Sequence, residues 1–100
     1  MAPINIQIRN GTIVCTPNDG HVRAPHRTAL EWVGKDEEFT LSFVLLGGGS
    51  AWPFNESQHG AFPTKHFRGT LKDVSGDAPA YKYTVRMGGK LLDPIIIVDK

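Results

Sequence analysis

Apolar and polar side chains alternate over most of this chain. Ile4, Ile6 and Ile8 alternate with polar residues before the dipeptide Asn10-Gly11 and a second apolar segment. A two-residue period is typical of a half-buried β-strand, and Asn-Gly is a preferred two-residue hairpin turn. The chain is therefore predicted to open with a β-hairpin.

The same alternation recurs downstream. Apolar or small residues take every second position over 30–34, 39–45, 67–71 and 81–85, and residues 95–98 form a β-branched run. No segment shows the helical period. Roughly seven or eight short strands separated by turns predict one all-β domain over the whole chain, an antiparallel Greek-key β-sandwich. The last run is apolar on both faces, which predicts an interior strand.

Two stretches lack alternation. Residues 17–28 are dense in turn formers and prolines, and we predict a loop there with a short edge strand at 21–23. Residues 47–66 contain glycines, prolines and aromatic residues without a sustained period. This second stretch is predicted to be a long, structured loop.

Composition and charge narrow the classes of function. Eleven basic and ten acidic residues give a net charge of +1, whereas nucleic-acid readers carry a concentrated basic excess. No apolar run reaches the ~18 residues of a membrane span, and no secretion signal is evident. The single Cys15 fits a reducing compartment. We expect a cytoplasmic domain that binds neither nucleic acid nor membrane, although a mature exported form would have the same features.

Five segments resemble, in their order and spacing, the strands of cupredoxin-like proteins. They are 13–17, 30–33, 39–43, 81–85 and 93–98. The resemblance covers nearly the whole chain and is greatest to a small bacterial branch that ends in Asp-Pro-x-Ile-Ile-Val and has no assigned activity. It implies a cupredoxin-like or immunoglobulin-like sandwich.

The chain departs from that family at the copper ligands. Copper cupredoxins place a Cys after a Tyr-x-aromatic-x pattern and a His and a Met in the following loop, but this chain has Val85 in the Cys position. Met87 follows closely, no His comes after it, and residues 37–38 are glutamates where the upstream His belongs. Because type-1 copper needs thiolate and imidazole ligands, we expect no copper and no other cofactor.

The remaining candidate chemistry is sparse. His21, His26, His59 and His66 are side chains that suit zinc or copper, but their spacing matches no known site. Metal binding through these loop histidines is therefore the alternative function, with no ligand assigned. Cys15 takes an apolar strand position, where cysteine is a small buried hydrophobe, and no nucleophile elbow is present. We expect no enzymatic activity.

Aromatic residues in the long loop are the strongest functional candidates. Trp52, Phe54 and Phe62 lie there with His59 and His66. Exposed aromatic side chains on a rigid scaffold give binding loops their contact area. We therefore predict that these five residues recognise a protein partner and that the domain is a monomer or weak homodimer. The alternative is that the aromatic side chains fold inward and cap one end of the sandwich.

Overall fold

The computed structural model describes residues 3–47, 52–56, 63–73 and 78–99, and strands dominate these residues. The strands are β1 (Ile4–Arg9), β2 (Thr12–Thr16), β3 (Val22–Pro25), β4 (Ala29–Gly34), β5 (Thr40–Leu45), β6 (His66–Thr70), β7 (Ala80–Met87), β8 (Lys90–Leu92) and β9 (Ile95–Asp99). The only helical element within these ranges is a 3-10 turn at Asn18–Gly20. The prediction of an all-β fold is confirmed.

Two sheets pack face to face. The first sheet has the strand order β2-β1-β4-β6, and the second has the order β3-β9-β7-β5, with β8 on β7. Both sheets are mixed, because β1 pairs with β4 in parallel and β3 pairs with β9 in parallel. The prediction of a purely antiparallel sandwich is wrong at these two pairs. Alternation determines the face that a side chain takes, but not the direction of the neighbouring strand.

Strand number and position differ from the prediction in two places. The predicted edge strand near residues 21–23 is β3, which extends to Pro25 and lies at the edge of the second sheet. A further short strand, β8, precedes the last predicted strand, which is β9, and Asp93-Pro94 separates the two. As predicted, β9 is interior, because β3 and β7 flank it.

The alternating residues of both sheets fill one core around Trp32. This side chain is fully buried, and its ring centroid lies 5.6 Å from that of Tyr83 and 5.7 Å from that of Phe54. Edge-to-face aromatic pairs add roughly 0.5–1.5 kcal/mol beyond the free energy of burial. The core also contains Phe43 and Phe67. The predicted inward faces of these strands are therefore confirmed.

Residues 52–56 close one end of this core. Phe54 forms a β-bridge with Leu71 and is 1% exposed. Its ring lies so close to Gly69 that a Cβ there would approach it to 2.6 Å. Glycine at position 69 therefore allows Phe54 to enter the sandwich. Among the described residues, no helix is long and apolar enough to cross a membrane.

Candidate partner-binding surface

The second sheet carries apolar side chains on its solvent face. Register places Val44 beside Lys82, and Lys82 beside Ile95, in one row across β5, β7 and β9. Leu46 and Ile97 belong to the neighbouring row, since the Leu46 amide donates to the Ala80 carbonyl and Ala80 pairs with Ile97. The rows are two residues, or about 7 Å, apart. Val44, Leu46, Ile95 and Ile97 are called the apolar patch below.

The exposure of the patch is unusual for a sheet. Val44 is 49%, Leu46 47% and Ile95 37% exposed, and Ile97 is half-buried. Sheets with one solvated face normally alternate apolar residues inward with polar residues outward. Lys82 separates Val44 from Ile95. Leu46, Ala80 and Ile97, however, form an apolar row beside them. Apolar side chains that cluster on a solvent face are a feature of interaction sites. The patch is therefore the first candidate for a binding surface.

An open groove of about 450 Å³ continues the patch at the β3 edge. Its lining residues are Asn18, His21, Val22, Arg23, Ile95 and Ile97. Asn18, His21, Val22 and Arg23 also line a smaller cavity of about 140 Å³, which reaches Ile4 and Leu30 between the sheets. An apolar floor with a few convergent polar groups is typical of a binding pocket. The groove can therefore anchor one side chain of a ligand that covers the patch.

The rim of the groove is a turn held by the core. Asn18, Asp19 and Gly20 all have positive φ angles, of 55°, 56° and 83°. This region is costly for residues other than glycine and persists where the surroundings hold it. Here the buried Tyr83 hydroxyl donates to the Gly20 carbonyl, and Trp32 Nε1 donates to Tyr83 Oη at 3.3 Å. These two hydrogen bonds join the rim to the core.

Tyr83 suits this role because it remains a donor. Burial raises the pKa of Tyr83 far above the ordinary value for a phenol. Like any phenol, this hydroxyl is protonated at neutral pH, and it donates to the Gly20 carbonyl. A Cβ on Gly20 would lie 2.9 Å from Tyr83 Oη, so glycine also provides the space for this contact.

Two polar side chains at the groove have defined positions. The Ile95 amide donates to His21 Nδ1 at 3.1 Å. The neutral ring therefore carries its proton on Nε2, which is available as a donor. Arg23 donates from Nε to Asp99 Oδ2 and from Nη2 to Asp99 Oδ1, each at 3.0 Å. These contacts tie the groove to β9.

The solvent face of the first sheet is mostly polar. Its outward positions include Gln7 and Arg9 on β1, Glu31 on β4, and His66 and Arg68 on β6. His66 Nε2 contacts the Glu31 carboxylate, and Arg68 is the register partner of Glu31. Such pairs are typical of a solvated sheet surface and contribute little individually.

The predicted aromatic site is not assembled as expected. Phe54 is a core residue, so the prediction that it is exposed to a partner is wrong. Trp52 is half-buried, with its ring 5.2 Å from Phe43 and its Nε1 donating to the Glu56 carbonyl at 2.7 Å. The hydrophobic effect draws both rings inward, in agreement with the alternative prediction that the aromatic side chains fold inward. His66 is exposed on the first sheet, away from both rings, while His59 and Phe62 lie outside the described residues.

The described histidines, which are the candidate ligands for the alternative metal-binding function, also lie far from one another. His21 and His26 stand at opposite ends of β3, about 16 Å apart for an extended strand. His66 contacts Glu31 on the other sheet. Over the described ranges, no three potential ligand side chains from His, Cys, Asp and Glu come together.

Val85, which the resemblance to cupredoxins places at the position of the copper-binding Cys, is an interior residue of this fold. Val85 is completely buried, and Met87 is also a core residue. A Cβ on Gly34 would lie 2.5 Å from the Glu37 carbonyl oxygen, so the backbone closes tightly there. Val85 and Met87 therefore pack as core, whereas Glu37 and Glu38 are exposed.

Sequence reasoning missed the apolar patch, although a signal was present. Val44 occupies the outward phase of β5, which it shares with Thr40 and Ser42. Ile95 and Ile97 belong to the run whose apolar residues on both faces predict an interior strand. Apolar residues at positions out of phase with the core were therefore the available signal. A scan of protein-family models and a search of curated protein sequences both find no match to this chain.

Proposed function

We propose that this domain is a non-enzymatic binding module of cupredoxin-like fold, without a copper site, that recognises a protein partner through the apolar patch. The observation that carries the proposal is the solvent exposure of Val44, Leu46 and Ile95 on adjoining rows of the second sheet. Covering each of these half-exposed side chains would contribute about 1 kcal/mol to association. A partner therefore gains most by binding this face.

The shape of the surface favours a protein over a small molecule. The patch extends across β5, β7 and β9 and continues into the groove beside β3. Four neighbouring strands span about 14 Å, which is wider than most small ligands require. Interfaces typically concentrate their binding energy where one anchor fills a pocket and flatter contacts surround it. In this domain the groove would hold the anchor side chain, and the patch would supply the flatter contacts around it.

The titratable groups support a binding role over an enzymatic one. Burial raises the pKa of Cys15 to about 11, so this thiol is protonated and unreactive near neutral pH. The raised pKa of Tyr83 likewise comes from burial, and its hydroxyl serves the groove rim. Perturbed groups at catalytic sites usually line a cleft beside a nucleophile. The groove residues include His21, but no hydroxyl or thiol nucleophile lies among them.

Matched substitutions on the two sheets test the proposal. Val44 and Val14 each face outward from an edge strand, on the second and first sheets respectively. Wild type, Val44→Lys and Val14→Lys are immobilised and exposed to extract from the cells that produce the protein, and retained proteins are identified by mass spectrometry. A protein retained by wild type and Val14→Lys, but lost by Val44→Lys, is then purified and its affinity is measured by calorimetry.

We expect Val44→Lys to weaken that affinity at least about tenfold, because a charge replaces buried apolar area. Both variants should unfold at similar temperatures. Equal affinity for Val44→Lys and wild type would contradict the proposal, as would an equal loss in Val14→Lys.

A further inference from the structure

The proposed function, on which this step rests, leaves the chemistry of the partner open. We infer that the partner presents an extended acidic and apolar segment, with apolar side chains on the patch and groove and a carboxylate at Arg86. Three features of the second sheet's solvent face carry this assignment. They are its charge balance, the spacing of its apolar positions and the location of Lys82.

One cation on the second sheet's solvent face, among the described residues, has no hydrogen bond or ion pair. Asp99 is paired with Arg23. Asp93 accepts from Thr84 Oγ1 at 2.6 Å and lies 3.7 Å from Lys82 Nζ. Within the described ranges, neither a hydrogen bond nor an ion pair engages the Arg86 side chain. The Glu37 carboxylate lies beside Gly88 at the same end of β7. Arg86 is still a cation without a carboxylate partner among the described residues, and a carboxylate on the partner is its natural complement.

A second apolar contact lies beside Arg86. Register pairs Leu91 with Arg86, and Leu91 is 55% exposed. Arg86 is four residues beyond Lys82 on β7, so it lies about 13 Å from the row of Val44 and Ile95. An extended segment of roughly four residues covers this distance. Its complement is thus apolar at one end and carries a carboxylate beside an apolar residue at the other.

Lys82 disfavours a second copy of this chain as the occupant. It stands between Val44 and Ile95 in the middle of the exposed row. A symmetric dimer through the patch would bring the Lys82 side chains of both copies towards each other. Like charges that meet at an interface oppose association. A different protein with carboxylates avoids this repulsion.

Selection from random peptides tests this chemistry directly. A phage-displayed library of random dodecapeptides is panned on the full-length wild-type chain, and binders retained by Ile95→Lys are discarded. We expect the remaining sequences to combine apolar residues with Asp or Glu. Synthetic versions are then titrated by fluorescence anisotropy against wild type, Arg86→Glu and Arg9→Glu, the last a matched charge reversal on the first sheet's solvent face.

Arg86→Glu should weaken binding of the selected peptides by about fivefold or more, and added salt should reduce the difference. Arg9→Glu should bind as wild type does. Thermal melts and a parallel Val44→Lys selection check that Ile95→Lys acts on the surface and not on folding.

Each other outcome overturns a defined claim. If no peptide depends on Ile95 and Val44, the patch is not a binding surface, and the proposed function fails with this inference. Patch-dependent peptides that are neutral or basic, or that bind Arg86→Glu equally well, would overturn the acidic partner alone. If the wild-type chain is a dimer in sedimentation equilibrium and Ile95→Lys converts it to a monomer, a second copy occupies the patch. That result would also overturn the inference of an acidic partner.

Discussion

The solvent faces of the two sheets differ, although their inner faces follow the same rule. On the first sheet, outward residues such as Gln7, Glu31 and Arg68 are polar, and the outward valines, Val14 and Val33, are half-buried. On the second sheet, Val44 and Ile95 are apolar and substantially exposed. The inward-facing residues of both sheets pack in the common core and must be apolar. The outward-facing residues are not under this constraint, so their polarity can differ between the sheets. Under the proposed function, the residues that bind the partner are therefore among those that the fold does not need.

The largest effect is expected from an inner residue of the loop that was first predicted to bind. Phe54→Ala should lower the free energy of unfolding by about 3–5 kcal/mol, because it leaves a cavity beside Trp32. Urea denaturation measures this loss. A change below about 1 kcal/mol would show that Phe54 is not part of the core, and the contrast between inner and outer residues would fail at this position.

A smaller effect is expected where the core supports the groove. Tyr83→Phe removes the donor to the Gly20 carbonyl and the acceptor for Trp32 Nε1. We expect a loss of about 1–3 kcal/mol, since buried polar groups lose their partners. Urea denaturation gives the loss, and amide exchange at residues 20–22 shows whether the rim opens faster. Unchanged amide exchange at residues 20–22 would show that the Tyr83 hydroxyl does not stabilise the rim.

The next test concerns pH and the segment that caps the core. The Thr70 amide, which donates to the Glu56 carboxylate at 2.7 Å, lowers the pKa of Glu56. A depressed carboxyl pKa stabilises the fold above the unfolded value, and this contribution is lost as the pH falls through the folded value. Trp52 fluorescence, which reports on the contact with Glu56, should therefore change below about pH 4.

Glu56→Gln is the control for this pH effect. The amide keeps the size of the side chain but does not ionise, so the acid-dependent change in fluorescence should be largely removed. The same transition in wild type and Glu56→Gln would assign it to other carboxylates and not to this contact.

The smallest effect on stability is expected on the apolar patch itself. Val44→Thr retains a β-branched side chain and should change the free energy of unfolding by no more than about 0.5 kcal/mol, because Val44 does not fill the core. Urea denaturation compares it with wild type. A loss above about 1.5 kcal/mol would mean that Val44 packs as a structural residue, which would remove the contrast with the first sheet.

The sequence predicts which residues face the core better than it predicts the strand pairing or the exposed apolar residues. Alternation correctly places Leu30, Trp32 and Val85 in the core, since burial follows the period of the strand. Strand direction is not encoded in that period, so the parallel pairing of β1 with β4 was missed.

The candidate site was harder to predict for a related reason. The irregular segment around Phe54 has no period that separates inward from outward residues, and aromatic composition alone suggested exposure. In β9, Ile95 and Ile96 look equivalent in sequence, yet Ile95 is exposed and Ile96 is buried. The outer side of an interior strand is covered only where another layer packs on it, and tertiary structure decides that.

The most direct test is the response of isoleucine methyl groups to a bound ligand. A peptide selected on wild type, or the purified partner, is added to protein with labelled isoleucine methyls, and their NMR shifts are followed. We expect the largest shifts at Ile95 and Ile97, with little change at Ile6 and Ile13 beneath the first sheet's face. The largest shifts at Ile6 and Ile13, with Ile95 unaffected, would contradict it.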